Sequence, residues 1–213
     1  MTEMTGMKQN RFMTIGVTGG VGCGKSLILN YLKEHYNCRI ILADDVANML
    51  KEPGQVCYKE LTDLLGKKIL DDKGFIDKKR MAEAIFKDEV LLKKVNDIIH
   101  PAVKDYLLDA IKKEKDAGIY DCLFIEAALL IECGYKEHVD RMWYIYADEN
   151  VRRERLRSSR GYSDEKISGI MNSQLSHEAF IQGSDDIIDN SGKVEETYSQ
   201  IDEKMKELDY GRK

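Results

Sequence analysis

The chain has 213 residues, 43% apolar and 33% charged, the balance of an ordinary folded protein of one domain with insertions or a core with small satellites. Its formal net charge of −5 gives no electrostatic case for a nucleic-acid partner, and no apolar run reaches membrane-spanning length, so no membrane partner is expected either. Five cysteines, odd in number and without a C-x-x-C pair, read as reduced thiols of a cytoplasmic protein rather than as disulfides or a zinc site.

In chain order, the opening MTEMTGMKQNRF is polar and lacks the apolar centre of a signal peptide, so none is expected. Met13 to Val17 reads as a short buried strand of the kind parallel sheets use. Gly19-x-x-x-x-Gly24-Lys25-Ser26 follows and fits the phosphate-loop pattern at every fixed position. Glycines let successive backbone N–H groups converge on an anion, and the helix starting near Lys25 adds its positive end. The backbone of Gly20, Val21, Gly22, Cys23 and Gly24 is therefore expected to cradle ATP phosphates. Lys25 would reach the β- and γ-phosphates, and the Ser26 hydroxyl would ligate Mg²⁺.

Arg39 to Ala43 is a second apolar strand ending at Asp44-Asp45. A carboxylate at that edge can take a proton from an attacking hydroxyl, and both aspartates are candidates; the alternative is that they cap the next helix. From Val46 to Gly118 helical patterning takes over, cut by turns at Pro53-Gly54 and Asp71-Asp72-Lys73-Gly74. Asp71-x-x-Gly74 also matches a GTPase switch motif, but its surroundings favour a plain turn. Asp88 is expected to cap a helix that His100-Pro101 then breaks or kinks before helix resumes from Ala102 to Lys115.

Strands return at Asp121 to Ala127 and Met142 to Ala147, with a short helical or loop piece between them. Glu126, after Leu123-Phe124-Ile125, stands where a Walker-B acid holds Mg²⁺, or else forms a strand-end ion pair. Asp148 to Ser163 carries Arg152, Arg153, Arg155, Arg157 and Arg160. Such a segment suits a lid whose guanidinium groups meet phosphoryl oxygens, though most of the five read as a solvated helix face. Asp186 to Asn190 is a last strand, and Val194 to Leu208 a final amphipathic helix.

The pattern is α/β: a three-layer phosphate-loop kinase core on a parallel five-stranded sheet, with a helical insertion and a small lid; that the insertion is acceptor-binding is what the motifs' resemblance to a known family implies. The expected core is 13–48, 119–150 and 184–213; 49–118 is the helical domain and 151–183 the lid. No N-K-x-D motif occurs, which argues against a GTPase, and the chain is short for a helicase or motor. A small-molecule kinase remains best supported, ahead of a non-catalytic ATP-binding regulator.

The motifs together resemble the dephospho-CoA kinase family. Thr18 to Ser26 is similar to T-G-G-I-G-S-G-K-S, and Ala43-Asp44 with Glu52-Pro53-Gly54 resembles D-A-D followed by E-P-G. His100-Pro101 sits where the family carries H-P, Glu126 to Glu132 resembles D-V-P-L-L-F-E, and Asp185 to Gly192 resembles A-D-x-V-I-D-N-x-G. The resemblance implies ATP-dependent phosphorylation of the ribose 3′-hydroxyl of dephospho-CoA. It implies Asp44 as general base, a lid arginine at or near Arg160, Asn190 near the adenine, and Lys78 and His100 toward the acceptor. Four positions depart from the family pattern: Leu42 and Glu126 each for Asp, Ala128 for Pro, and Lys78 for Arg. A monomer or weak homo-oligomer is expected.

Overall fold

The computed structural model of the chain describes residues 11–213 except 87, so most of the segment expected not to be a signal peptide lies outside the described residues. Five strands, β1 (Met13–Thr18), β2 (Cys38–Leu42), β3 (Cys122–Glu126), β4 (Arg141–Tyr146) and β5 (Asp186–Asp189), form one parallel sheet in the order β2-β3-β1-β4-β5. β1 lies inside the sheet between β3 and β4, and Thr14 to Thr18 are all buried, which is why it reads as an uninterrupted apolar run. Register places Val17 opposite Glu126, Thr18 opposite Tyr144, and Tyr146 opposite Asp189. The carboxyl ends of β1, β3, β4 and β5 therefore share one edge, the edge where open α/β sheets bind ligands.

The chain divides into two compact units, one reaching Ile40 and resuming with Glu114–Lys213, the other Ile41–Lys113. The first unit holds most of the sheet with α1 (Lys25–His35), α6 (Glu149–Arg160), α7 (Asp164–Asn172), α8 (His177–Gly183) and α9 (Val194–Glu207). Trp143 and Phe124, fully buried, pack at 5.4 Å, and Phe180 of α8 stacks on Tyr144 at 4.7 Å. Tyr198 of α9 stacks on Tyr31 of α1 at 3.9 Å. Buried Asp186 is held bidentately by Arg141 at 3.0 Å and by Lys204 at 3.2 Å, so its charge is matched where water cannot reach.

The second unit contains α2 (Ala43–Met49), α3 (Val56–Leu65), α4 (Lys78–Ile85) and most of α5 (Glu89–Ala117). Leu61, Ile69 and Leu107 are fully buried, with Val95, Val103 and Met81. The sequence DDKG is a turn: the Asp71 carboxylate accepts from the N–H groups of Lys73 and Phe75, each at 2.9 Å.

Two expectations are corrected. Strand β2 stops at Leu42, and Ala43 already belongs to α2. Of the break or kink expected at His100-Pro101, the break does not occur: helix α5 runs continuously from Glu89 to Ala117. Proline removes one N–H donor, while Val95 before it and Val103 and Leu107 after it are buried and keep both halves packed. The Asp88 carboxylate does accept from Leu91 N–H at 2.9 Å at its start, and Gly118, with φ 60°, follows its end.

Candidate active site

The phosphate loop joins β1 to α1. Gly24 is the residue before α1, at φ 92°, and a Cβ there would stand 2.2 Å from Asn190 Nδ2. Gly19 is as constrained: a Cβ would meet the carbonyl oxygen of Ile145 at 2.4 Å. No side chain caps α1 and its first turn carries no acid, whereas Lys33 and His35 lie in its last turn. The helix's own first turn thus adds no negative charge against its positive dipole end, which faces the loop.

Lys25 Nζ donates to the Gly19 carbonyl at 2.8 Å and lies 3.5 Å from Glu126 Oε1, both side chains largely buried. The strand-end acid and the loop lysine therefore belong to one site. Ser26, beside Lys25, is exposed. Burial raises the Cys23 thiol above its ordinary value, against the opposing pull of Lys25, so Cys23 enters this site as a packed neutral group.

The arginine segment forms α6, and two of its five arginines reach the loop. Arg152 Nε donates to the Val21 carbonyl at 2.8 Å. Arg155 donates to the Asn190 carbonyl at 2.8 Å and to the Cys23 carbonyl at 3.4 Å. Arg153 pairs with Glu149 and Ser168, and Arg157 with Asp164 and Glu154. Arg160 is exposed at the last position of α6, its guanidinium 5.9 Å from the Tyr162 ring. It stands about 12 Å farther along the helix axis than Arg152. Asn190, 1% exposed, donates from Nδ2 to the Cys23 carbonyl at 2.8 Å and accepts at Oδ1 from Thr197 at 3.1 Å.

In the other unit, Asp44 and Asp45 are exposed in the first turn of α2, and neither caps it with its side chain. A carboxylate there is favoured by the helix dipole yet free to meet solvent or substrate. Lys78 is exposed at the first position of α4, after Asp77, which accepts from Arg80 N–H at 2.7 Å. Lys51 is held below its ordinary pKa by burial and by neighbouring Lys78, with Asp44 acting in the opposite sense. His100 is exposed within α5. The described residues contain no cluster of three or more His, Cys, Asp or Glu able to hold a metal ion, and none of their helices is long and apolar enough to cross a membrane.

The residues alone did not separate the members of the arginine cluster, and the family resemblance pointed to Arg160, which lies exposed at the end of α6. Helix spacing could not separate them: Arg152 and Arg160 lie four residues before and after the buried Leu156, on the same face of α6. Lys51 and Gln174 fall outside every motif and were missed.

The dephospho-CoA kinase family model matches residues 13–196. Dephospho-CoA kinase from Aquifex aeolicus is 37% identical over 195 residues, covering 91% of this chain and 96% of that one. Among solved structures, TT1252 from Thermus thermophilus superposes with a TM-score of 0.78 at 23% identity, covering 93% of this chain and 98% of that one. Dephospho-CoA kinase from Campylobacter jejuni gives a TM-score of 0.65 at 20% identity with the same coverage, a likeness of fold.

Proposed function

The chain belongs to the dephospho-CoA kinase family, and from that premise we propose how its residues perform the ATP-dependent phosphorylation of dephospho-CoA in coenzyme A biosynthesis. The loop N–H groups of Gly20, Gly22, Gly24, Lys25 and Ser26 and the α1 terminus hold the triphosphate, with Lys25 on its β- and γ-oxygens; Val21 N–H is taken by Gln174 and Cys23 N–H by the Gly20 carbonyl. Asp44 accepts the proton of the ribose 3′-hydroxyl as that oxygen bonds to the γ-phosphorus and the bond to the β–γ bridging oxygen breaks, releasing ADP. Arg152 stabilises charge on the transferred phosphoryl group.

Mg²⁺ would arrive on the nucleotide. Ser26 and Glu126 would hold it, since a hydroxyl and one carboxylate, completed by phosphate oxygens and water, suit an ion that keeps much of its hydration shell. When bound it offsets negative charge on the β- and γ-oxygens.

Acceptor binding is assigned to 49–118 and the lid role to 151–183. Lys78 and Lys51, like charges beside Asp44, suit the diphosphate of the acceptor, with His100 as a further contact. Cys23, Cys38, Cys57 and Cys122 are buried free thiols, which supports a reducing cytoplasmic location. We place the protein there as a monomer or weak homo-oligomer acting on small molecules.

The observation that carries this reading is the convergence of Lys25, Glu126 and Arg152 on one glycine-rich loop. Its test is ADP release with MgATP and dephospho-CoA against a panel of nucleosides and sugars. Turnover specific to dephospho-CoA is expected; faster turnover of another acceptor, or ATP binding without turnover, overturns it.

A further inference from the structure

Gln174 lies in the connection between α7 and α8 and touches the phosphate loop. Its Oε1 accepts from Val21 N–H at 3.0 Å and from Arg152 Nη2 at 3.0 Å. Arg152 Nε in turn donates to the Val21 carbonyl at 2.8 Å. The carboxamide oxygen, the guanidinium and both polar groups of Val21 thus form one closed ring of hydrogen bonds. A guanidinium held at two of its nitrogens by fixed partners cannot swing about its long side chain. Arg152 Nη1 has no hydrogen-bond partner among the described residues and lies against Gly20, where a Cβ would stand 2.9 Å from it and 2.4 Å from Nη2.

The identity of the acceptor matters. A carboxylate at position 174 could make the same two bonds, but it would pair with the arginine charge and oppose a phosphate anion nearby. A neutral carboxamide orients the guanidinium and leaves its charge uncompensated. We infer that Gln174 is a positioning residue for the phosphoryl transfer, fixing Arg152 so that its Nη1 edge stays aimed past Gly20 at the transferred phosphoryl group. The inference rests on the reading that Arg152 serves that group.

Four variants test it. Gln174→Met keeps the length and bulk without a strong acceptor, and Gln174→Glu keeps the acceptor while adding charge. Each is expected to lower kcat roughly tenfold with the KM for dephospho-CoA within about twofold, because misoriented or neutralised transition-state groups act on kcat. Arg152→Ala combined with Gln174→Met should be no slower than Arg152→Ala alone, since the glutamine acts through the arginine. Full activity in Gln174→Glu would mark a purely structural tether and overturn the inference, as would independent, multiplying losses in the double variant. A slow Arg152→Ala beside a fully active Gln174→Met removes only the inference about Gln174. A fully active Arg152→Ala removes the reading of Arg152 and the inference with it. Thermal unfolding of each variant identifies any that fail to fold, and the Glu variant, which keeps both hydrogen bonds, still decides if Gln174→Met does.

Discussion

Asn190 reaches across 167 residues of sequence to hold the carbonyl of Cys23, at 2.8 Å, from beneath the phosphate loop. Its Oδ1 takes the Thr197 hydroxyl, so both ends of the carboxamide are occupied and buried. Any influence of Asn190 on the nucleotide then passes through the loop. Asn190→Ala should lower unfolding free energy by about 1–2 kcal/mol, because it removes two buried hydrogen bonds and leaves a void, while Arg155 still reaches the Cys23 carbonyl and the Thr197 hydroxyl keeps the Asp189 carbonyl. It should also raise the KM for ATP several-fold. Chemical denaturation and ATP titration measure the two effects; a destabilised variant with unchanged ATP KM would confine Asn190 to a structural role.

Asp44→Asn keeps shape and removes the proton acceptor. Its kcat should fall by about 10²–10⁴ while ATP affinity stays unchanged, the range general-base removal produces. Isothermal titration with a non-hydrolysable ATP analogue and steady-state turnover read the two quantities separately. Near-normal turnover would pass the role to another group, with Asp45 the first to test.

Among the arginines, Arg152→Ala should lower kcat by about 10² or more, as loss of a preorganised charge does. Arg160→Ala, removing an exposed group, should stay within about threefold. The opposite ranking would return the transition-state role to the end of α6.

Asp202 of α9 accepts from Tyr36 at 2.6 Å and Tyr31 at 3.0 Å and pairs with Arg212. Burial by itself would raise its pKa, but those hydrogen bonds outweigh it and leave the carboxyl below its ordinary value. A depressed folded value means stabilisation that is complete above the unfolded pKa near about 4 and lost as pH falls through the folded one. Asp202→Asn should therefore cost about 1 kcal/mol at neutral pH, discounted for partial exposure. The gap from the parent chain should close in acid. Urea midpoints at neutral and acidic pH follow both; a gap independent of pH would show that packing, rather than ionisation, carries the contribution.

The elements nearest the chemistry were the most readable. Met13–Thr18 and Cys122–Glu126 are buried on both faces, so their apolar runs stand out, and the glycines of the loop are dictated by backbone geometry within eight residues. Pro101 left break and kink open because proline inside a helix is locally unfavourable, while the packing of Val95, Val103 and Leu107 that carries α5 through it is not local. The motif around Asn190 was legible but its partner was not, since Cys23 lies far away in sequence.

By itself the sequence determined the donor loop, the parallel α/β core and the family, because each depends on contiguous residues: backbone freedom at glycine, apolar runs, and motifs in order. Only the tertiary structure decided that Arg152 rather than Arg160 lies against Gly20, that Glu126 meets Lys25, and that Gln174 closes the ring around Val21. Those pairings follow from how α6 and the α7–α8 connection pack over the loop, and a helix's own sequence, alike in charge on several faces, does not say which face turns inward.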